Sequence, residues 1–178
     1  RHRHRYSPLR HPPSQGISCF IVDGASEGLS FGAQERKLGW NSQPTAQVFF
    51  ENVRVPAHNL LGGEEGVGKG FKMAMTGLDG GRLSIGTCSI GAAQRCFDIA
   101  REHVMVRNQF GAPLSDNQSV QFKLADMATG IQTSRTLLRQ AAGLLDEGHP
   151  QKTAFCAMAK RVATDTGFEV CNEALQLM

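Results

Sequence analysis

The residues best suited to chemistry lie in one short stretch, RNQFGAPLSDNQ, which runs from Arg107 to Gln118. Arg107 offers a planar fork of donors that matches a diphosphate. Phe110 offers a flat apolar wall, and the amides of Gln109, Asn117 and Gln118 could bond to a ribose or to the edge of a heterocycle. These residue types, crowded into one turn, predict a clamp for an anion and a ring.

The same stretch also has a purely structural interpretation. A long helical pattern ends near Arg107 and another begins after it, while Gly111 and Pro113 break helix continuity between them. Ser115, followed three residues later by Gln118, fits a capping box at the start of the second helix. A well-capped helix hairpin would explain all of this without a ligand, so the residues alone leave both interpretations open.

A second candidate is Leu-Asp-Gly-Gly-Arg, in which Asp79 and Arg82 are three residues apart. The structural interpretation is an Asp cap at the start of a helix, favoured by the helix dipole, beside a solvated Arg. The functional interpretation is that Asp79 and Arg82 hold a polar ligand that carries an acyl group. Gly80 and Gly81 would then leave space for that ligand.

A glycine-rich loop between residues 62 and 70 resembles a phosphate cradle but lacks the required order, since Lys69 is followed by Gly70 rather than by Ser or Thr. We expect a flexible connection there. The chain also gives no metal signature, because no Glu-x-x-His pair lies on any helical segment. We therefore predict no metal site.

The 178 residues correspond to one domain, or to one domain and part of another. A formal net charge of +3 argues against a nucleic-acid-binding face. Five cysteines, an odd number without any Cys-x-x-Cys, fit a reducing compartment better than a disulfide framework. No apolar run is long enough to predict a membrane span.

Three parts follow from the patterning. Residues 1–15 form a basic, proline-rich tail that we expect to be disordered. Residues 16–62 read as the C-terminal remnant of a β domain, in which 29–38 could pair with 17–22, and 46–55 form a strand pair or a bulged strand. Because so few strands make no independent sheet, the front of that domain should be missing.

Residues 63–178 read as a mainly α, up-down helical bundle. A short helix from Val67 should be interrupted at Asp79-Gly80-Gly81, since paired glycines are costly inside a helix. Three longer stripes with steps of three and four residues follow. They are Leu83, Gly86, Ile90, Ala93, Phe97, Ala100 and Val104; Leu124, Met127, Ile131, Ser134, Leu138, Ala141 and Leu145; and Phe155, Met158, Val162, Thr166, Val170, Ala174 and Leu177.

Taken in order, the motifs of this chain resemble those of the acyl-CoA dehydrogenase family. They are GWNSQPT at 39–45, FENVRVP at 50–56, LLG at 60–62, GKGF at 68–71, LDGGR at 78–82, RNQFG at 107–111 and LADMA at 124–128. No single motif is decisive, but their ordered series is specific. The resemblance extends from about residue 16 to the end of the chain.

The resemblance implies an N-terminal helical domain, a middle β domain and a C-terminal four-helix bundle, of which this chain would hold a bundle truncated before its last helix. It implies FAD between the β domain and the bundle, an acyl-CoA substrate and electron-transfer flavoprotein as the electron acceptor. It also implies a homotetramer in the mitochondrial matrix. The motif wording points to a short branched acyl-CoA, isobutyryl-CoA of valine breakdown, oxidised to the 2,3-enoyl-CoA.

Carried over to this sequence, the resemblance gives roles to the residues of both candidates. Arg107 would pair with the FAD diphosphate of a neighbouring subunit, Gln109 and Phe110 would touch the cofactor, and Asn117 and Gln118 would hydrogen-bond to it. The stretch from Asp79 to Arg82, with Gly80 and Gly81, would line the acyl-CoA pocket.

The resemblance assigns no catalytic residue to this chain. Family members carry the base, a Glu, either beyond the last residue present here or just before the Arg of LDGGR, where this chain has Gly81. We therefore expect the chain to be inactive alone. Two alternatives stay open: a non-catalytic helical oligomerisation module, and an acyl-CoA oxidase of the same fold.

Overall fold

A computed structural model describes residues 16–178, so the basic tail expected at 1–15 lies outside the described residues. The chain divides into two compact units, with the boundary between Ala74 and Met75. Within the described part, no helix is long and apolar enough to cross a membrane.

The first unit contains a two-stranded antiparallel sheet, in which β1 (Leu29–Phe31) pairs with β2 (Val48–Phe50). The expected pairing of 29–38 with 17–22 is therefore wrong. The β-branched run at 17–22 instead makes a single bridge, Phe20 to Leu60. Local alternation predicted extended backbone in this region, but it carries no information about which extended segment lies alongside which.

The glycine-rich loop is held in place, so the expected flexible connection is wrong. The backbone N–H of Gly68 donates to the hydroxyl of Ser18 at 3.0 Å, and that of Gly70 donates to the carbonyl of Ile17 at 2.8 Å. A Cβ on Gly66 would lie 1.9 Å from the carbonyl oxygen of Leu61, so the turn closes too tightly for any other residue. Short 3-10 helices span Ala57–Asn59, Gly63–Gly66 and Leu114–Asp116.

The second unit is helical, and the predicted mainly α, up-down bundle is confirmed. Its helices are α1 (Gly70–Val106, which begins in the first unit), α2 (Gln118–Asp146) and α3 (Lys152–Gln176). A β-hairpin of β3 (Asn108–Gln109) and β4 (Ala112–Pro113) joins α1 to α2. Helix α2 ends at Asp146, and Gly148 follows two residues later with a φ of 66°, the left-handed turn that the sequence predicted as a stop.

Helix α1 runs unbroken for 37 residues, so the predicted interruption at Asp79-Gly80-Gly81 is wrong. Glycine costs roughly 1 kcal/mol in a helix interior, which is small when tertiary contacts fix the helix on both sides. Here those contacts come from Asp79, which is 4% exposed and bonded to the neighbouring α3. Asp79 is consequently the tenth residue of a helix rather than its cap.

The predicted apolar stripes of α1 and α2 are confirmed, because Ile90, Ala93, Met127 and Ile131 all belong to the buried core. The stripe predicted for α3 is wrong at Met158 and Val162, whereas Phe155 packs against the core as predicted. Met158 and Val162 are 46% and 38% exposed. The buried positions there are small residues, Cys156, Ala159, Ala163 and Gly167.

The reason lies in how closely α1 and α3 approach. A Cβ on Gly86 of α1 would lie 3.3 Å from the Cβ of Ala163, and a Cβ on Gly167 would lie 3.0 Å from the Cβ of Ser89. Such a close crossing has room only for small side chains, so the larger apolar residues of α3 are displaced to the outside.

Candidate functional site

The stretch after α1 folds into a β-hairpin rather than a simple helix-to-helix turn. Phe110 and Gly111 form its two-residue turn, with φ of 56° and 85°, the positive values that a type I′ turn requires. The N–H of Leu114 donates to the carbonyl of Arg107 at 2.8 Å and closes the base of the hairpin. The sequence predicted a turn here, but not a hairpin with two left-handed residues.

Phe110 combines backbone strain with full exposure. A non-glycine residue at a positive φ costs about 1–2 kcal/mol, and few aromatic residues adopt it. The side chain is 104% exposed, so packing of the ring within residues 16–178 does not offset the strain. Strained residues of this kind concentrate at binding sites, which favours a role for the ring in contact with another molecule.

Arg107 has a fixed backbone and an available head group. Its N–H donates to the carbonyl of His103 at 2.9 Å, which continues the α1 ladder by one residue. Its guanidinium is exposed, and within residues 16–178 no hydrogen bond or ion pair engages it. Five N–H donors therefore remain free to bind an anion.

Of the two amide side chains that follow the hairpin, Asn117 caps α2 and Gln118 is exposed to solvent. Asn117 is the N-cap of α2, and its side-chain oxygen accepts from the N–H and hydroxyl of Ser119 at 3.0 and 2.9 Å. The predicted capping box of Ser115 with Gln118 is therefore wrong. A capping box needs Ser at the cap, whereas Ser115 lies inside the preceding 3-10 helix and Gln118 is the first residue of α2.

One residue of this corner was missed by sequence reasoning. The side chain of Gln121 donates to the carbonyl of Ser115 at 2.8 Å and ties the 3-10 turn to α2. The hairpin therefore stands on a rigid base. It presents a guanidinium, an aromatic ring and the amides of Gln109 and Gln118 to solvent, a donor set that suits the diphosphate and rings of a dinucleotide.

The second candidate is a buried carboxylate between two helices. Arg82 Nη1 lies 2.5 Å from Asp79 Oδ1, and the hydroxyl of Thr153 on α3 donates to Oδ2 at 2.7 Å. The side chains of Asp79 and Arg82 are 5% and 32% exposed. Both carboxylate oxygens thus have a partner, and Arg82 is the ionic group that reaches the surface. Nothing in the sequence near Thr153 signals this bond, since the two residues are 74 positions apart.

Electrostatics connect a further side chain to this cluster. Burial raises the pKa of the Cys156 thiol above its ordinary value, and the charge of Asp79 raises it further. Arg82 and Lys152 act in the opposite direction. Asp79, Arg82 and Lys152 are therefore all close enough to Cys156 to influence its pKa.

Gly80 and Gly81 leave open space beside this cluster. A Cβ added at either position would meet nothing within 4 Å. The structure therefore agrees with the expectation that these glycines leave room on the surface next to Arg82, although room alone names no ligand.

The two candidates are far apart on one chain. Arg82 lies 25 residues before Arg107 along α1, a distance of about 37 Å at 1.5 Å per residue. One copy of this chain cannot place both groups around a single reacting centre. Across residues 16–178, no three His, Cys, Asp or Glu side chains come together as metal ligands.

Comparison with known proteins identifies the class of this architecture. Residues 68–178 match the family model described as "Acyl-CoA dehydrogenase, C-terminal domain". The mitochondrial isobutyryl-CoA dehydrogenase of Dictyostelium discoideum is 52% identical over 92% of this chain and 38% of its own length. The chain thus spans about two fifths of the length of that relative.

Solved structures agree with the sequence matches. Butyryl-CoA dehydrogenase from Megasphaera elsdenii superposes with a TM-score of 0.86 at 42% identity, over 92% of this chain and 42% of that one. A chain from a structure titled "Electron transferring flavoprotein of Acidaminococcus fermentans: Towards a mechanism of flavin-based electron bifurcation" gives a TM-score of 0.85 at 41% identity. It is matched over 92% of this chain and 42% of its own length.

Proposed function

Because this chain belongs to the acyl-CoA dehydrogenase family, we propose that it forms part of a FAD-dependent enzyme that oxidises a short branched acyl-CoA to the 2,3-enoyl-CoA. The observation that carries this proposal is the hairpin between α1 and α2. It presents Arg107 and the strained, fully exposed ring of Phe110 on a rigid base. Within residues 16–178, no hydrogen bond or ion pair engages the Arg107 guanidinium, and the Phe110 ring is fully exposed.

The cofactor proposal depends on the chemistry of this donor set. Arg107 would neutralise the diphosphate of FAD, Phe110 would cover a ring, and Gln109 and Gln118 would supply hydrogen bonds. Asn117 would contribute its side-chain N–H₂, because its oxygen is used to cap α2. When bound, FAD would supply the acceptor for the hydride that leaves the substrate.

Isobutyryl-CoA is the proposed substrate. The Dictyostelium relative named for that substrate is 52% identical, against 42% for the butyryl-CoA dehydrogenase. On this proposal the enzyme acts in valine breakdown, and the mitochondrial name of the Dictyostelium relative supports a place in the mitochondrial matrix. Residues Asp79 to Arg82 would form one wall of the acyl-CoA pocket.

The described residues would bind and orient the substrate rather than remove its proton. A general base must lie within hydrogen-bond reach of the proton that it takes. Gly81 has no side chain to offer, and both oxygens of Asp79 are already bonded to Arg82 and Thr153. We therefore propose that the base comes from outside residues 16–178.

The proposed assembly is a homotetramer that passes electrons to electron-transfer flavoprotein. The distance between the two candidates supports a shared active site. If Arg82 serves the pocket of its own subunit, then Arg107, about 37 Å away along the helix, serves that of a neighbour. The match to a chain from an electron-transferring flavoprotein structure supports the partner.

The test uses the full-length protein that contains this chain, purified with its flavin. Anaerobic addition of isobutyryl-CoA should bleach the flavin absorbance, and n-butyryl-CoA should do so more slowly. No bleaching by any short acyl-CoA would reject the proposed reaction. Rapid oxygen consumption during turnover would instead identify the protein as an acyl-CoA oxidase of the same fold.

A second candidate is favoured by the full engagement of Asp79. Among residues 16–178 Asp79 is the one buried carboxylate, and both of its oxygens are already bonded, which fits a non-catalytic helical module that associates with other subunits. An absorbance scan of the purified chain separates the two. A stoichiometric flavin band with turnover would exclude the module.

A further inference from the structure

The buried carboxylate of Asp79 is hydrogen-bonded to two other side chains, those of Thr153 and Arg82. One of its oxygens accepts from Thr153 on α3 and the other from Arg82, three residues further along α1. Asp79 is 4% exposed, whereas about a third of the Arg82 side chain reaches solvent. Of these two residues, only Arg82 can contact a ligand in solvent. Its guanidinium is bonded to the Asp79 carboxylate, which is in turn bonded to Thr153 of α3.

We propose that Thr153 is a positioning residue, which fixes the Asp79 carboxylate and through it the direction in which the Arg82 guanidinium faces. Resting on the proposed function, the ligand of that guanidinium is the polar part of an acyl-CoA. Asp79 is then a positioning residue as well, and not a group that touches the ligand.

The physical argument concerns conformational freedom. An arginine side chain loses about 2 kcal/mol of rotamer entropy when it is fixed, and an arginine fixed before binding does not lose it on binding. A carboxylate held at one oxygen only could rotate about its χ2 torsion and carry Arg82 with it. The hydroxyl of Thr153 removes that rotation, since it bonds the second oxygen at 2.7 Å.

The charged side chains around Asp79 and Arg82 lie close together, next to the buried thiol of Cys156. The pKa of Cys156, which is 0% exposed, responds to Asp79, Arg82 and Lys152 together. The carboxylate of Asp79 is itself 4% exposed, and in such a poorly solvated environment a charge-assisted hydrogen bond is stronger than at the surface. That environment favours one fixed geometry for Asp79 and Arg82.

The alternative is that Thr153 only ties α3 to α1. In that case, loss of the Thr153 hydroxyl would lower the melting temperature but would leave the reactivity of Arg82 unchanged. The experiment therefore measures the reactivity of Arg82 towards phenylglyoxal, an arginine-specific dicarbonyl, by peptide mass spectrometry. It uses the full-length protein that contains this chain, and the reading needs neither turnover nor substrate.

Thr153→Val removes the hydroxyl at nearly constant volume, Thr153→Ser keeps it, and Thr136→Val is the matched control. Thr136 is an exposed threonine whose hydroxyl donates to the carbonyl of Gln132 in its own helix at 3.0 Å. In Thr153→Val we expect Arg82 to react several-fold faster and the KM for isobutyryl-CoA to rise about fivefold to tenfold with kcat nearly unchanged. Thr153→Ser and Thr136→Val should match the parent in both readings.

Unchanged Arg82 reactivity in Thr153→Val would overturn the proposal, whatever the melting temperature does. If Thr153→Val yields no folded protein, Thr153→Ala takes its place with the same expected readings. Faster reaction of Arg82 in a protein that binds no acyl-CoA would establish the positioning role and reject the proposed function. The positioning role of Thr153 and the proposed function are therefore rejected by different results.

Discussion

At the scale of single residues, the hydroxyl of Ser134 is a buried polar group whose hydrogen-bonding capacity is unsatisfied within residues 16–178. Ser134 is 0% exposed in the middle of α2, and its hydroxyl has no partner among the described residues. A buried polar group without a partner costs roughly 1–3 kcal/mol, so its removal relieves a cost. We expect Ser134→Ala to leave the free energy of unfolding unchanged or to raise it by up to about 1 kcal/mol.

Urea denaturation followed by circular dichroism checks this prediction. Ser84→Ala serves as the control, because the Ser84 hydroxyl is exposed and donates within α1 to the carbonyl of Gly80. That variant should stay within about 0.5 kcal/mol of the parent. A loss of more than 1 kcal/mol in Ser134→Ala would show that its hydroxyl has a partner in solution, such as a buried water.

The thiol of Cys171 predicts a loss of stability at alkaline pH. Burial, followed by a hydrogen bond with Cys96, raises its pKa from 9.0 to about 11. The unfolded chain therefore releases this proton near pH 9, while the folded chain keeps it to about pH 11. The stabilisation is complete below pH 9 and is lost as the pH rises from 9 towards 11.

Unfolding free energies measured across that interval should fall more steeply in the parent than in Cys171→Ala. Cys88→Ala is the control, since Cys88 is an exposed free thiol, and it should keep the slope of the parent. Equal slopes for the parent and Cys171→Ala would contradict the raised pKa.

Residue types indicated the candidate positions but not their environments. The spacing of Asp79 and Arg82 was visible in the sequence, and their contact at 2.5 Å agrees with it. The burial of Asp79 and its bond to Thr153 were not visible, because they depend on the register of α3 against α1. Local patterns describe one element at a time and do not encode that register.

At the scale of elements, the crossing of α1 and α3 depends on glycine. A Cβ on Gly86 would lie 2.9 Å from Leu138 Cδ2 and 3.3 Å from the Cβ of Ala163. We expect Gly86→Ala to lower the free energy of unfolding by about 1–3 kcal/mol, because the Leu138 side chain would have to move and α1 and α3 would have to shift slightly apart.

Gly91→Ala is the matched control on the same helix. Nothing lies within 4 Å of a Cβ at that position, so alanine should stabilise the helix by about 0.4–1 kcal/mol. Thermal melts followed at a helical wavelength compare the two variants. A Gly86→Ala chain as stable as Gly91→Ala would show that the crossing is looser than described.

Periodicity predicted the existence of the helices and the faces of two of them. It failed at α3, where it selected the large residues Met158 and Val162 instead of the small ones that α1 approaches. It failed again at Asp79-Gly80-Gly81, where helix propensity was outweighed by tertiary contact. The hairpin was predicted only as a turn, because the positive φ of Phe110 contradicts its local preference.

At the scale of the whole molecule, the family membership of the chain is clearer than the roles of its single residues. The chain spans about two fifths of the length of its relatives, and large apolar side chains such as Phe168 and Leu175 remain 76% and 68% exposed. The ordered motifs of the sequence predicted the family, and the family match and the fold confirm it. The roles of the individual site residues stay predictions.

Those roles depend most directly on Arg107, so the decisive measurement is the FAD affinity of the full-length protein with Arg107→Ala. Loss of a hydrogen bond to a charged group, about 1.5–3 kcal/mol, should raise the Kd for FAD by about tenfold to a hundredfold. Arg95→Ala, an exposed arginine on α1 away from the hairpin, should leave it unchanged. Equal FAD retention by both variants would contradict the proposal that the hairpin grips the cofactor.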